Sequence, residues 1–398
     1  MPIAVTKTGA STPKRAARRA RTRCLLSVAV LVVPLRLTGS LPGTARADDL
    51  PGAHDWPMFR GGARQNGVSF TRLPDRPAVK WKFTTTEAFV SSPVIAGGAV
   101  YVGCDDGFFY AFDLSSGKPQ WKFEAKEMIR SSPSVIGDTV YFGDDLGKMR
   151  AMDAKTGRVR WEFETGSQII SAVNHEGDRL IFGSYDGFVY CLSAGDGKLL
   201  WKFETQGRVH GTPGIVEEQA LVAGCDEYLH VLRIADGAEA TKVSLGAVSG
   251  ASAAIVGSRV FVGTYVGAVL GIEWESGRTV WSFKDAELEF PILASAAVTD
   301  DRVIVGGRDK RLRSLDSKTG AVQWTFVTQG RIDSSPVIVG DRVFFGASDG
   351  NLYAVALSTG KENWRFEAGG PISASPAVAD GHLVVGTEDG VLYAFGGE

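Results

Sequence analysis

The segment 151–161, AMDAKTGRVRW, comes back about every forty residues through most of the chain. Its fixed letters Ala151, Asp153, Thr156, Gly157 and Trp161 return as Ala111, Asp113, Ser116, Gly117 and Trp121, and as Asp316, Thr319, Gly320 and Trp324. The terminal aromatic falls at Trp81, Trp121, Trp161, Trp201, Trp281, Trp324 and Trp364, with Thr241 in the remaining place, which makes eight units. A period of this size means that each unit is one supersecondary element unable to bury its apolar face alone, so the units must stack as a propeller or a solenoid.

Each unit reads as four short strands. The residues before Asp153 alternate apolar and polar, Thr156-Gly157 supplies a turn with a left-handed position, and Val159 to Phe163 alternates again. Trp161 and Phe163 fall on one face of their strand, and that face needs cover from the next unit. Upstream, a small-residue stretch such as Ser131-Ser132-Pro133-Ser134-Val135 precedes a strand such as Thr139 to Gly143. Small residues suit the innermost position, where eight strands converge. The eighth unit runs out after Val391 to Phe395 without an outer strand, while Ala78 to Phe83 forms an orphan strand before the first. Joining them closes the ring and removes the open edge a solenoid would have to cap. The expected fold is all-β: an eight-bladed β-propeller of four-stranded antiparallel blades over 78–398, closed by an N-terminal strand. The leader 48–77, with Trp56-Pro57-Met58-Phe59-Arg60-Gly61, reads as a strap packed on the ring's surface.

Residues 1–47 differ from the rest. They carry nine positive charges and no Asp or Glu, then an apolar run from about Cys24 to Leu37, then Ala45-Arg46-Ala47. That order is the pattern of a secretory signal peptide cleaved after Ala47, and the run is too short to span a membrane. Arg18-Arg19 hints at twin-arginine export, although its flanks suit ordinary secretion better. Removal of this segment lowers the formal net charge from −2 to −11, which argues against nucleic acid or an anionic membrane as the main partner. Cys104, Cys191 and Cys225 remain, an odd number with no adjacent pair. They read as free packing thiols, with Cys104 and Cys225 in the same phase three blades apart.

The pattern Ala-x-Asp-x-x-Thr-Gly-x-x-x-Trp resembles the tryptophan-docking repeat of quinoprotein alcohol dehydrogenases, eight-bladed propellers that bind pyrroloquinoline quinone (PQQ). It is similar also to the repeat of the lipoprotein of outer-membrane β-barrel assembly, a propeller of this kind without the cofactor. The resemblance covers residues 78–398, and the Trp56 to Gly61 opening is similar to that of many secreted PQQ-like proteins. It implies the fold, with Trp81, Trp121, Trp161, Trp201, Trp281, Trp324 and Trp364 as docking residues, more firmly than a function. Quinoprotein dehydrogenases stack the quinone between a Trp and a disulfide of adjacent cysteines and hold calcium beside it. This chain lacks adjacent cysteines, and outside the repeat its tryptophans are Trp56 and Trp274. Unlike the assembly lipoprotein, it has no cysteine at the end of the apolar run, since Cys24 precedes it.

Binding in a propeller concentrates near the axis on one face. Counting seven and nine residues beyond each anchor places Arg130, Gln168, Arg208, His210, Arg331 and Asp333 as a polar arc above the channel, which Arg308 from a turn can join. Three arginines there suit a small anion or a carboxylate-rich ligand. The plainer reading is a solvated rim that is merely polar. Turns at Asp106-Gly107, Asp186-Gly187, Asp349-Gly350 and Asp389-Gly390 invite a calcium reading, but Asp-Gly is also the preferred two-residue hairpin turn. No catalytic constellation and no metal set shows in the five scattered histidines. The insertion Glu287-Leu288-Glu289-Phe290 offers a partner-binding knob or a plug for the channel.

The resulting expectation is an exported, non-catalytic, monomeric propeller that binds a protein or a small anion without metal or cofactor, in the periplasm or outside the cell, with a place in envelope assembly. The alternative is a PQQ-dependent alcohol or sugar dehydrogenase with its cofactor at the channel mouth.

Overall fold

The computed structural model describes residues 54–285 and 289–397. The signal-peptide features, from the basic segment to Ala47, lie outside them, as do Glu287 and Leu288. Strand pairing gives eight antiparallel sheets of four repeat strands each, the blades of a propeller. Blade one consists of Val94–Ala96, Ala99–Gly103, Phe108–Asp113 and Pro119–Glu124 from the axis outward. Blades two to seven repeat it. Blade eight takes Ala377–Ala379, His382–Gly386 and Val391–Gly396 from the end of the chain and Ala78–Thr84 from its start. The seam is a continuous antiparallel ladder from Ala78 opposite Gly396 to Thr84 opposite Val391, as the unit count requires. Among the described residues no helix is long and apolar enough to cross a membrane.

The repeated tryptophans hold neighbouring blades together. Trp121 Nε1 donates to Ala154 O at 2.9 Å, and Trp81, Trp161, Trp201, Trp281 and Trp324 donate to the corresponding carbonyl of the following blade. The Gly of the Thr-Gly turn lies under the same ring. Gly157 has φ +65°, and a Cβ there would sit 2.6 Å from Trp121. Both the left-handed backbone and the close aromatic approach therefore exclude a side chain. Trp364 instead meets Phe395 edge-on, with ring centroids 5.7 Å apart. Where Thr241 replaces Trp, blades four and five are held by their own aliphatic cluster, which takes in the other non-repeat tryptophan, Trp274.

Two sequence expectations need correction. The small-residue stretches do not form the innermost strands but precede them: Ser131 to Pro133 lie before the strand Ser134–Ile136. The leader is no external strap. It passes around the inside of the ring and meets the blades in order. Trp56 exchanges backbone hydrogen bonds with Ile95, Pro57 O accepts from Val135, Ala63 O from Ile215, Arg64 O from Ile255, Asn66 O from Val298 and Gly67 O from Ile338. Asn174 and Ser69 side chains complete the circuit at blades three and eight. Innermost strands have one unpaired edge each, and the leader satisfies those groups where no further strand fits. Trp56, Met58, Arg60 and Gln65 are consequently buried.

Candidate functional site

The axis holds a cavity of about 560 Å³, open at one face and reached on its inner side by Phe59 of the leader. Its wall is built in tiers, one residue per blade. The ninth residue after each anchor, allowing for three extra residues in the loop after Trp281, lines it in all eight blades: Val90, Arg130, Ile170, His210, Gly250, Leu293, Asp333 and Ser373. Of the seventh residues, only Gln168 and Arg331 do. Arg208 points elsewhere: it is exposed, with its guanidinium 5.3 Å from the centre of the Tyr185 ring. The backbone there does not keep strict strand alternation, which is why the period-two count succeeds for one position and fails for the other.

Two residues below the ninth lies a belt that the sequence reading had explained by crowding alone. Ser92, Ser132, Thr212, Ser252, Ser295, Ser335 and Ser375 line the cavity, with Ala172 in the eighth place. Each hydroxyl accepts from a backbone N–H of the preceding blade: Ser252 N to Ser295 Oγ is 2.9 Å, Ser295 N to Ser335 Oγ 3.0 Å, and Ser375 N to Ser92 Oγ 2.9 Å closes the circle. The remaining members repeat this contact, and the circle is interrupted where Ala172 faces Ser132. Because the oxygen is engaged by a backbone donor, the hydroxyl hydrogen is left for the cavity side.

A third set surrounds the mouth from the residue before the corresponding tight turn of each blade, which is Asp-Gly in four of them. Here stand Asp105, Asp145, Tyr185, Cys225, Tyr265, Arg308, Ser348 and Glu388. Tyr185, Arg308 and Glu388 reach the cavity. This register is legible in the sequence one place upstream of the turns, where Arg308 is the member that the polar arc takes in. Arg130 forms a two-pronged contact with Asp105 at 3.1–3.3 Å and lies 3.6 Å from Asp145. Gln168 donates to the same Asp145 at 3.4 Å. Burial lifts the Asp145 carboxyl above its ordinary range despite Arg130. On the opposite arc Asp333 receives both Arg308, at 2.9 and 3.2 Å, and Arg331, at 2.9 Å. Two cations share one carboxylate there.

Between these arcs His210 Nδ1 lies 2.6 Å from the Tyr185 hydroxyl. Burial pushes Tyr185 up to about 12 and His210 down. Both are neutral at pH 7, so the phenol donates to Nδ1 and the imidazole hydrogen is assigned to Nε2.

The turn carboxylates are spent on their own blades and on the loops that lead into them. Asp106 accepts from Phe108 N at 2.9 Å and Tyr110 Oη at 2.7 Å, and Asp186 and Asp349 repeat this with Tyr190 and Tyr353. In other blades the fourth residue on is Arg150, His230 or Arg313; His230 and Arg313 are held by the turn carboxylates Asp226 and Asp309, whereas Arg150 pairs with Asp144, two residues before the turn's Leu146. They act as turn caps, not as an inward ring of ligands, and no group of three His, Cys, Asp or Glu among the described residues could hold a metal. Cys104 and Cys225 are free, as is Cys191, but the first two are one residue out of phase. Cys104 is buried against Ala88 O at 3.4 Å, whereas Cys225 belongs to the mouth register. Phe290, beside the undescribed part of the insertion, is 47% exposed and does not line the cavity.

A search of the curated proteins finds no match. Among solved structures, BamB from Moraxella catarrhalis is similar, with a TM-score of 0.70 at 19% identity over 81% of this chain and 100% of that one. The quinohemoprotein alcohol dehydrogenase from Comamonas testosteroni gives 0.73 at 13% identity over 88% and 83%. The computationally designed Ika8 protein gives 0.70 at 17% identity over 79% and 97%. These identities establish the fold alone. The family model described as outer membrane protein assembly factor BamB matches residues 75–174, 164–240, 226–365 and 333–398 in overlapping stretches. With nearly every blade matched, the chain belongs to this family of PQQ-like β-propellers.

Proposed function

We propose that the protein is an exported, non-catalytic binding module of the cell envelope whose channel mouth receives an anionic group of a small ligand or of a protein partner. The observation that carries the reading is the pair Arg308 and Arg331 on the single carboxylate of Asp333 at the edge of the cavity. One carboxylate leaves a surplus of guanidinium donors facing an open site, and a second anion completes them as paired forks. The neutral His210 across the cavity supplies a further donor without adding charge. The family description, an assembly factor of the outer membrane, supports an envelope location and a scaffold role. Cleavage after Ala47 supplies the route.

The dehydrogenase reading finds less support. The cavity is lined by no Trp, and the free cysteines Cys104, Cys191 and Cys225 are not neighbours, so its residues do not fit a quinone stacked on a Trp and an adjacent-cysteine disulfide. No step is derived through such a group.

Protein purified from the envelope fraction should begin at Asp48 by mass spectrometry. Citrate, used as a polycarboxylate probe in calorimetry, should bind saturably and at least about tenfold more weakly to Arg331→Ala, the equivalent of one lost charge-assisted contact. Equal binding by wild type and variant would overturn the mouth as the site. Tight uptake of PQQ with calcium would reverse the choice between the two readings.

A further inference from the structure

We propose that the mouth takes a zwitterion, an amino acid or short peptide whose carboxylate meets Arg308 and Arg331 and whose ammonium meets Glu388. The inference rests on the anion site proposed above and adds the cationic half of its ligand.

The repeat sets a pairing rule around the mouth. The residue before each tight turn stands beside the ninth residue after the anchor at the entry to the next blade, held there by a backbone bond such as Ile129 N to Cys104 O at 3.2 Å. Three of these pairs are polar on both sides: Asp105 with Arg130, Tyr185 with His210, and Arg308 with Asp333. At the seam the same bond, Phe89 N to Thr387 O at 3.0 Å, brings Glu388 beside Val90. Valine offers no side-chain donor. Among the described residues the Glu388 side chain makes no hydrogen bond or ion pair. Glu388 and Val90 both line the open cavity of about 560 Å³, so a ligand has room to reach the free carboxylate.

Within these registers the charges are sorted by side. Blades six and seven set Arg308 and Arg331 against one carboxylate, Asp333. Blades eight, one and two set Glu388, Asp105 and Asp145 against one guanidinium, Arg130. Asp145 shares the surplus, since its counterpart is Ile170 and its Oδ1 has no hydrogen-bond partner. Asp105 and Asp145 do not line the cavity, so they act through their field while Glu388 supplies the contact. A polyanion gains at the arginines and is opposed by Glu388, whereas a ligand carrying both signs satisfies the two sides at once.

Calorimetry at neutral pH and fixed ionic strength tests this with glycine, γ-aminobutyrate, ε-aminocaproate and triglycine. Each is compared with its N-acetyl derivative, which keeps the carboxylate and deletes the positive charge. The best-fitting probe should bind about tenfold tighter than its acetylated form, the size of one charge-assisted hydrogen bond. Triglycine in that place identifies a peptide ligand, and one of the amino acids a free zwitterion. Glu388→Gln should erase the preference, weakening the free form and tightening the acetylated one, which no longer faces a like charge. Arg331→Ala should weaken both forms. Equal binding of free and acetylated probes while citrate still binds would overturn the zwitterion and spare the anion site, as would a preference that survives Glu388→Gln. Loss of citrate binding together with all four probes would overturn both readings.

Discussion

Trp81 is the only repeat tryptophan that joins the two ends of the chain, because its strand belongs to blade eight while its ring lies on blade one. The ring is 9% exposed, packs 5.9 Å from Phe112, covers Gly117 and donates to Leu114 O at 2.7 Å. Trp81→Ala removes a buried aromatic side chain, leaves a cavity beside a glycine that cannot fill it, and orphans a buried carbonyl. Core truncations of this size cost about 3–5 kcal/mol, of which roughly 1 kcal/mol belongs to the hydrogen bond. For a ring of this length that corresponds to a fall of about 5 °C in the unfolding midpoint. Urea denaturation followed by tryptophan fluorescence and by circular dichroism gives the free energy and shows whether the ring still unfolds in one step. Two controls sharpen the result. Trp81→Phe keeps most of the apolar contact and loses the Nε1 donor, so it should cost less than half as much. Val79→Ala, in the same strand but 40% exposed, should stay within about 0.5 kcal/mol. If Trp81→Ala costs under about 1 kcal/mol, or no more than Val79→Ala, then the seam does not depend on this contact and the account of ring closure fails.

Two further outcomes follow from the same geometry. His230 is buried between Asp226, at 2.8 Å, and Glu239, at 2.6 Å; burial opposes its charge, but the two carboxylates prevail and raise it above its ordinary value. Its contribution is therefore complete below the unfolded value of about 6.5 and is lost as pH rises through the folded one, so the stability gap between wild type and His230→Gln should shrink from pH 6 to pH 8. A gap that is constant or widens would refute the pairing. Gly157→Ala should cost about 2–4 kcal/mol, combining the left-handed backbone with overlap on Trp121, whereas Gly137→Ala, at φ +59° in open space, should cost only about 1 kcal/mol. Equal losses in thermal unfolding would show that the aromatic contact contributes nothing.

The amino-acid sequence determined blade number, strand order and closure, because those depend on a period that every unit repeats. Strand pairing within a blade is local, and a shared failure to bury Trp161 and Phe163 alone forces the units together. The ninth-residue tier was legible for the same reason, since a regular repeat carries each position to the same height on the axis. What lay out of reach involves contacts between residues with no common spacing. Arg208 and Gln168 occupy equivalent places in the repeat, yet one lies over Tyr185 outside the cavity and the other lines it. The pairing of Arg308 with Arg331 across Asp333 joins a turn of one blade to a loop of the next, and the leader's path from blade one to blade eight is set by which backbone edges remain unpaired. Arg60 read as one letter of a leader motif; only packing from several blades at once removed it from water.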